Sequence, residues 1–435
     1  MWKYLSDKAA ELRQSRFVQN MVLTGISLGL YGLTKVSFNI IVLKYYNSEL
    51  VGSYNLAISG ALLVSILISN LFCISLTRFS SEALGKEDHG EFLFFINVNF
   101  WGLFLISLVC SAMFYALAPW IASQFGGEPS HFRWASGIIL VSNIYNYFKS
   151  FSYVIEKVLR YTILEIISSV IFFGALIMVL ALKKESLLLV PMLVQLGCFS
   201  IYSIMVNWKY ISNFSWLINI RLYGKQALEL LKYSLITGLG TTASMWTTHV
   251  FTLMLGKVAD VRTVGYFSVV NSTADPLNFV PRVITMVSFP RVSFLYGKRD
   301  FNGLTLFIKR NYVRLLYICS AMFIGTMMFS TPISKMLFGE HYREVDWLLR
   351  FMIISRLLPI LAVFHIALLS GTNYPAIPNL TGPVSLLLCI PLIPFFYSNF
   401  GLLGMGFVVM ISGFLRSLPS LLYGEHVLRK VFISS

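Results

Sequence analysis

Residues Val264–Gly303 read VGYFSVVNSTADPLNFVPRVITMVSFPRVSFLYGKRDFNG. The stretch is long and mostly apolar, yet Asp275 and Arg282 sit inside its apolar run. Residues 51–90 read VGSYNLAISGALLVSILISNLFCISLTRFSSEALGKEDHG. At an offset of 213, Gly52 meets Gly265 and Arg78 meets Arg291. A one-residue slip brings Gly85-Lys86 onto Gly297-Lys298 and Asp88 onto Asp300. The offset of 213 also aligns Thr24-Gly25 with Thr237-Gly238, Lys44 with Lys257 and Pro119 with Pro332. Phe125-Gly126 and Trp134 fall likewise on Phe338-Gly339 and Trp347. One constant offset over so much chain predicts two similar halves.

The chain has 435 residues, 57% of them hydrophobic, and a mean hydropathy of +0.73. Apolar runs long enough to cross a bilayer recur throughout, which predicts an all-α, polytopic membrane protein. The net charge of +15 fits positive-inside loops facing an anionic leaflet, and no nucleic-acid partner is expected. Cys73, Cys110, Cys198, Cys319 and Cys389 lie in apolar runs without metal-ligand spacing and read as small core residues. The mixed charges of residues 1–17 and the long apolar run after them do not form a cleavable signal.

Twelve spans are expected near 18–43, 53–76, 92–118, 134–156, 161–182, 187–207, 231–255, 264–288, 311–330, 347–369, 380–397 and 401–423. Residues 1–17 read as a cytoplasmic amphipathic helix, 18–210 as an N-lobe and 211–230 as a basic interlobe linker. Residues 231–423 form a C-lobe and 424–435 a cytoplasmic tail. Six spans per lobe make the repeat parallel, about a pseudo-two-fold axis along the membrane normal. Lys and Arg concentrate in the segments that share a side with the termini, which places both termini in the cytoplasm. No loop is long enough for an extramembrane catalytic domain, so an enzyme is not expected.

Ionisable groups in spans are costly, about 2.5–3.5 kcal/mol each, and usually face a bundle interior or a watery cavity. Arg350 and Arg416 lie near span ends, where snorkelling explains them. Lys35, Arg282 and Arg356 are deeper, with His249 and His365 nearby. Span 1 carries Thr24, Tyr31, Lys35 and Asn39 on one helical face, and span 7 carries Thr237, Thr241, Ser244, Thr248 and Thr252. Span 8 adds Ser268, Asn271, Asp275, Asn278 and Arg282. Single hydroxyls in spans commonly bond back to their own helix. Three aligned stripes instead predict a water-filled cavity between the lobes, lined by Tyr31, Asn39, Thr241, Ser244, Thr248, Asn271 and Asn278. Its substrate-binding cations are Lys35, Arg282, Arg356 and His249, which suit a phosphate or pyrophosphate. Asp275 is read either as their counter-ion or as an ion-coupling group, and Pro276 and Pro281 as a gating bend. Arg78 and Arg291 would mark the cytoplasmic entrance. No metal site and no other cofactor are expected. No GxxxxGK[ST] motif occurs, which leaves an ion gradient (H+ or Na+), the substrate gradient or a partner as energy source.

The inside loops RFSSEALGKEDHGEF and FPRVSFLYGKRDFNG resemble those of the multidrug/oligosaccharidyl-lipid/polysaccharide exporter superfamily. So do the paired segments APWIASQFGG and TPISKMLFGEHYREVDWLLR and the ending YSNFGLLGMGFVV. Within it the chain is most similar to bacterial polysaccharide repeat-unit (Wzx-type) flippases. That resemblance implies alternating access, a cationic cavity and no catalytic residues. It also implies a polyprenyl-(pyro)phosphate-linked glycan as substrate, membrane lipids around it, and polysaccharide polymerase and chain-length proteins as partners. The location implied is the bacterial inner membrane, and the product O-antigen, capsule or a related surface polysaccharide. The polyprenyl tail would stay in lipid, in a portal between spans 1 and 8. Lys35, with no acid in span 1, argues against a cation-binding drug exporter. A teichoic-acid or lipid II type flippase, a membrane glycosyltransferase or polymerase and an anion channel remain the alternatives.

Overall fold

The computed structural model describes residues 2–85, 87–155, 157–212, 224–278, 284, 292, 300–339, 342–371 and 376–433. Among them are twelve α-helices. In the first half these are α1 (Trp2–Tyr45), α2 (Ser48–Gly85), α3 (His89–Phe125), α4 (Pro129–Val154), α5 (Val158–Leu182) and α6 (Val190–Ile211). The second half has α7 (Gly224–Val258), α8 (Val261–Ala274), α9 (Phe301–Phe338), α10 (Tyr342–Gly371), α11 (Ala376–Cys389) and α12 (Leu392–Ile433), the last of them kinked at Gly401 (φ 57°, ψ −138°), between the spans expected over 380–397 and 401–423. By length and composition alone, α1, α2, α3, α5, α6, α9, α10 and α12 could each cross a membrane. The chain is a multi-pass membrane protein.

The repeat written in the sequence reappears as equivalent helix ends. Asp88 and Asp300 cap α3 and α9, accepting from the amides of Glu91 at 2.9 Å and Gly303 at 2.8 Å. Both helices carry their proline internally and end at the FG pair. Gly126 (φ 82°) and Gly339 (φ 55°) then turn the chain with positive φ.

Helices α2, α3 and α4 pack together in the N-lobe, and α9, α10, α11 and α12 pack in sequence in the C-lobe. Helix α2 also packs on α7 and α8 of the other lobe. At its crossing with α8, Gly52 faces the Val261 carbonyl and Gly265 faces that of Ser48. Ser48 and Val261 are themselves repeat-equivalent, so the crossing is self-complementary, as a two-fold axis demands. A Cβ on either glycine would collide with the facing carbonyl.

Three expectations are corrected here. The helix runs unbroken from Trp2 to Tyr45 instead of separating a surface helix over 1–17 from a first span, because no Gly or Pro interrupts it before Gly25. The span expected over 380–397 is broken between α11 and α12 at Ile390-Pro391, where proline removes a helical donor. Cys198 is exposed and Cys110 only half-buried, so neither is a core residue.

Candidate functional site

The two lobes meet along one continuous seam. Along α2 from Ser59 to Arg78, the Ser59 hydroxyl lies 3.2 Å from His249 Nδ1 and the Leu63 carbonyl accepts from the Trp246 indole at 2.8 Å. Asn70 donates to Thr242 at 3.0 Å, and Leu71 packs on Gly238. The Arg78 guanidinium lies 4.1 Å over the Tyr233 ring.

The pseudo-equivalent contact, between α1 and α8, holds the charges. Lys35 Nζ lies 3.4 Å from Asp275 Oδ2, and Arg356 of α10 lies 3.1 Å from Oδ1. One carboxylate therefore holds a cation from each lobe. Arg356 also donates to Asn271 Oδ1 at 2.6 Å, and Asn278 donates to Asp275 Oδ1 at 3.2 Å. Just beyond, Asn39 donates to Ser272 at 3.1 Å and accepts from Asn55 at 2.9 Å. Ser272 is the repeat-equivalent of Ser59, and each is contacted from the opposite lobe. Asp275 reaches this position because α8 ends at Ala274 and continues as a 3-10 turn over Asp275–Asn278, where Pro276 interrupts the α-helix.

Below the charges lies a cavity of about 720 Å³. Its lining runs from Asn39 and Asn55 at one end to Thr77, Arg78 and Tyr233 at the end bearing the chain termini. Lys35 and His249 line it, as do Tyr31 and Lys149. Here the structure corrects the stripe reading. Helices α1, α2, α4, α6 and α7 supply most of the lining, so the cavity lies largely within the N-lobe. Thr241, Ser244, Thr248, Asn271 and Asn278 are not among its lining residues. Thr241 donates back to the Gly238 carbonyl at 3.1 Å, Ser244 packs on Gly382 of α11, and the Thr248 carbonyl accepts from Thr252. Asn271 and Asn278 are spent on Arg356 and Asp275. His365 is also elsewhere, 3.7 Å from Glu425 and edge-on to Tyr312. Arg350 is tied to Asp346 at 3.0 Å. Pro281, Arg282 and Arg291 lie outside the described residues.

Sequence reading missed a polar wall on α4 and α5. Tyr145 donates to the buried Glu165 at 2.9 Å, shares a 2.8 Å hydroxyl contact with Tyr161, and stacks on Tyr31 at 5.6 Å. Lys149, within the span expected over 134–156, sits on α4 and lines the cavity. The spacing of Asn146, Lys149 and Tyr153 was a usable signal, since it places all three on one helical face.

The family described as "Polysaccharide biosynthesis protein" matches residues 81–346. No curated protein sequence matches. Among solved structures, the chain is similar to a eukaryotic MATE transporter, AtDTX14, at 12% identity and TM-score 0.71, with 97% of this chain and 98% of that one covered. An inward-facing multidrug-resistance MATE transporter of the MOP superfamily is similar at 13% identity and TM-score 0.68, covering 93% and 99%. A MOP-superfamily transporter from Pyrococcus furiosus, described as having a binding pocket of reversed polarity, is similar at 14% identity and TM-score 0.65, covering 96% of each. The fold is that of MOP-superfamily transporters.

Proposed function

Because the chain belongs to the polysaccharide biosynthesis protein family, we propose that it is a flippase for polyprenyl-(pyro)phosphate-linked oligosaccharide repeat units. It works by alternating access in the bacterial cytoplasmic membrane, with both termini cytoplasmic, and supplies O-antigen, capsule or a related surface glycan. The observation that carries the reading is the one carboxylate, Asp275, shared by Lys35 and Arg356 from opposite lobes above a cavity that Lys35, Arg78, Lys149 and His249 also line. A drug exporter of the same fold would present an anionic site to a cation; here Asp275 is already paired with two bases.

The phosphate head enters from the side bearing the termini, past Arg78 and Lys149, and climbs the cavity. At its end the phosphate takes over the two cations from Asp275, offering more acceptor oxygens than a carboxylate. The phosphate thereby replaces the Lys35–Asp275 contact between lobes, and its different affinity for the closed and parted arrangements of α1 and α8 shifts the balance between them. The glycan occupies the cavity while the tail remains in lipid. An ion gradient (H+ or Na+), the substrate gradient or the polymerase and chain-length partners supply direction.

The test is complementation of a deletion strain with Lys35→Ala and Arg356→Ala. Both variants should reach the membrane yet lose surface glycan and accumulate its lipid-linked precursor on the inner leaflet. Wild-type surface glycan from both would overturn the reading.

A further inference from the structure

A second cavity, of about 600 Å³, lies between α5 and α6 on the outside of the N-lobe. Its volume is that of a small-ligand site. Both helices are long and apolar enough to cross a membrane, so the groove opens to lipid. Ile163, Ile167 and Tyr202 stand exposed along it, Ser168 and Cys198 are small and leave space between them, and Phe199 is buried beneath. The Ser168 hydroxyl donates to the Glu165 carbonyl at 3.1 Å and is spent within its own helix.

Charge gathers at one end. Arg160, exposed in the first turn of α5, lines the groove, and the exposed Lys157 comes just before that helix. Among the described residues neither is hydrogen-bonded or ion-paired. Thr162 meets Ser27 at 3.0 Å, which sets this end of α5 beside the N-terminal half of α1, on the side of the termini. From Arg160 to Ile171 the groove runs about 17 Å along α5, close to one leaflet's share of a hydrocarbon core about 30 Å thick. Its floor is also part of the cavity wall. Phe199 meets Tyr145 edge-on at 4.7 Å, and Tyr145 stacks on Tyr31, which lines the cavity below Asp275.

We propose that the α5–α6 groove binds one anionic phospholipid from the leaflet on the side of the termini. Its phosphate rests on Arg160, and one acyl chain lies over Phe199 toward Ile171. Charge at one end and an apolar length one leaflet deep together select this occupant. A zwitterionic lipid brings its own cation to Arg160, and a soluble phosphate leaves the apolar length unfilled. The bound chain braces from outside the wall that the cavity uses from inside. This lipid is a resident of the protein and not its cargo, so the site stands apart from the flippase reading.

The experiment uses the full-length, delipidated protein in detergent micelles, with the native Cys198 as reporter. Alkylation by N-ethylmaleimide is followed by peptide mass spectrometry, and half-buried Cys110 of α3 is the internal reference. Phosphatidylglycerol should slow alkylation of Cys198 and leave that of Cys110 unchanged. It should reach half-protection at about one-tenth the mole fraction that phosphatidylcholine needs, the range for one charge-assisted hydrogen bond. Arg160→Gln should bring phosphatidylglycerol to the level of phosphatidylcholine, and Arg160→Lys should keep most of the preference. Equal protection by the two lipids, or an unchanged preference in Arg160→Gln, would reveal an unselective apolar surface and overturn the site. Protection by polyprenyl phosphate at a lower mole fraction than phosphatidylglycerol would give the groove to the tail of the translocated lipid, and the proposal would fall. The same protection from soluble glycerol phosphate would assign Arg160 to a free phosphate and overturn it as well. None of these readouts needs transport, so a failure of the flippase reading leaves the test intact.

Discussion

Asp275 owes its position to the end of one helix and its state to two neighbours on others. Its side chain keeps 28% exposure, Lys35 36% and Arg356 11%, so the cluster is neither dry nor freely solvated. Removing one partner from such a group costs less than in a sealed core, but more than at a surface. Asp275→Asn should therefore lower stability by about 1–3 kcal/mol, measured as unfolding of the detergent-solubilised protein. The same variant should bind phosphate-headed lipid more tightly, because no internal anion competes for Lys35 and Arg356. Weaker binding by a well-folded Asp275→Asn protein would show that Asp275 holds the substrate instead of yielding to it. Sequence alone could single out Lys35, Asp275 and Arg356, since ionisable groups deep in apolar runs need a reason. It could not single out Arg416, which lies near a span end, where a long basic side chain has an ordinary explanation.

Among the elements, α2 and α8 decide how closely the lobes approach. Gly265→Val would drive a branched side chain into the Ser48 carbonyl, which belongs to a helix backbone and cannot rotate away. The cost should be about 3 kcal/mol or more, seen as a fall in melting temperature and in the monodisperse fraction on purification. Gly29→Ala is the matching control, because nothing lies within 4 Å of the added Cβ. It should stabilise by about 0.5–1 kcal/mol, the usual gain for alanine over glycine inside a helix. The glycine pair, the Asp88 and Asp300 caps and the FG helix ends were all legible, because the repeat fixes them twice over. The break at Ile390-Pro391 was not, since the composition around it is as apolar as in an unbroken span.

At the scale of the molecule, near-symmetric halves make an asymmetric site. Ser59 and Ser272 occupy equivalent places, but His249 meets the first and Asn39 the second. The offset predicts the shared frame and cannot predict that the cavity would lie mainly in the N-lobe, because that depends on which side chains turn inward. The α2–α7 seam is held along its length from Ser59 to Arg78, which leaves the α1–α8 side as the one to part. In a background lacking the native cysteines, Asn39→Cys with Ser272→Cys, joined by a short bis-methanethiosulfonate reagent, should stop glycan export until reductant is added. The same treatment of Leu71→Cys with Gly238→Cys should leave export largely intact, measured as surface glycan before and after reduction. Block by both bridges would mean that the seam also opens.

The shared carboxylate also bears on the journey made without cargo. Once the glycan leaves, Asp275 can fold back between Lys35 and Arg356, and the empty site has its own anion. On the flippase reading, the protein then needs no returning passenger to satisfy these two bases. Net export can proceed one way, turn after turn, without a compulsory exchange of lipid for lipid.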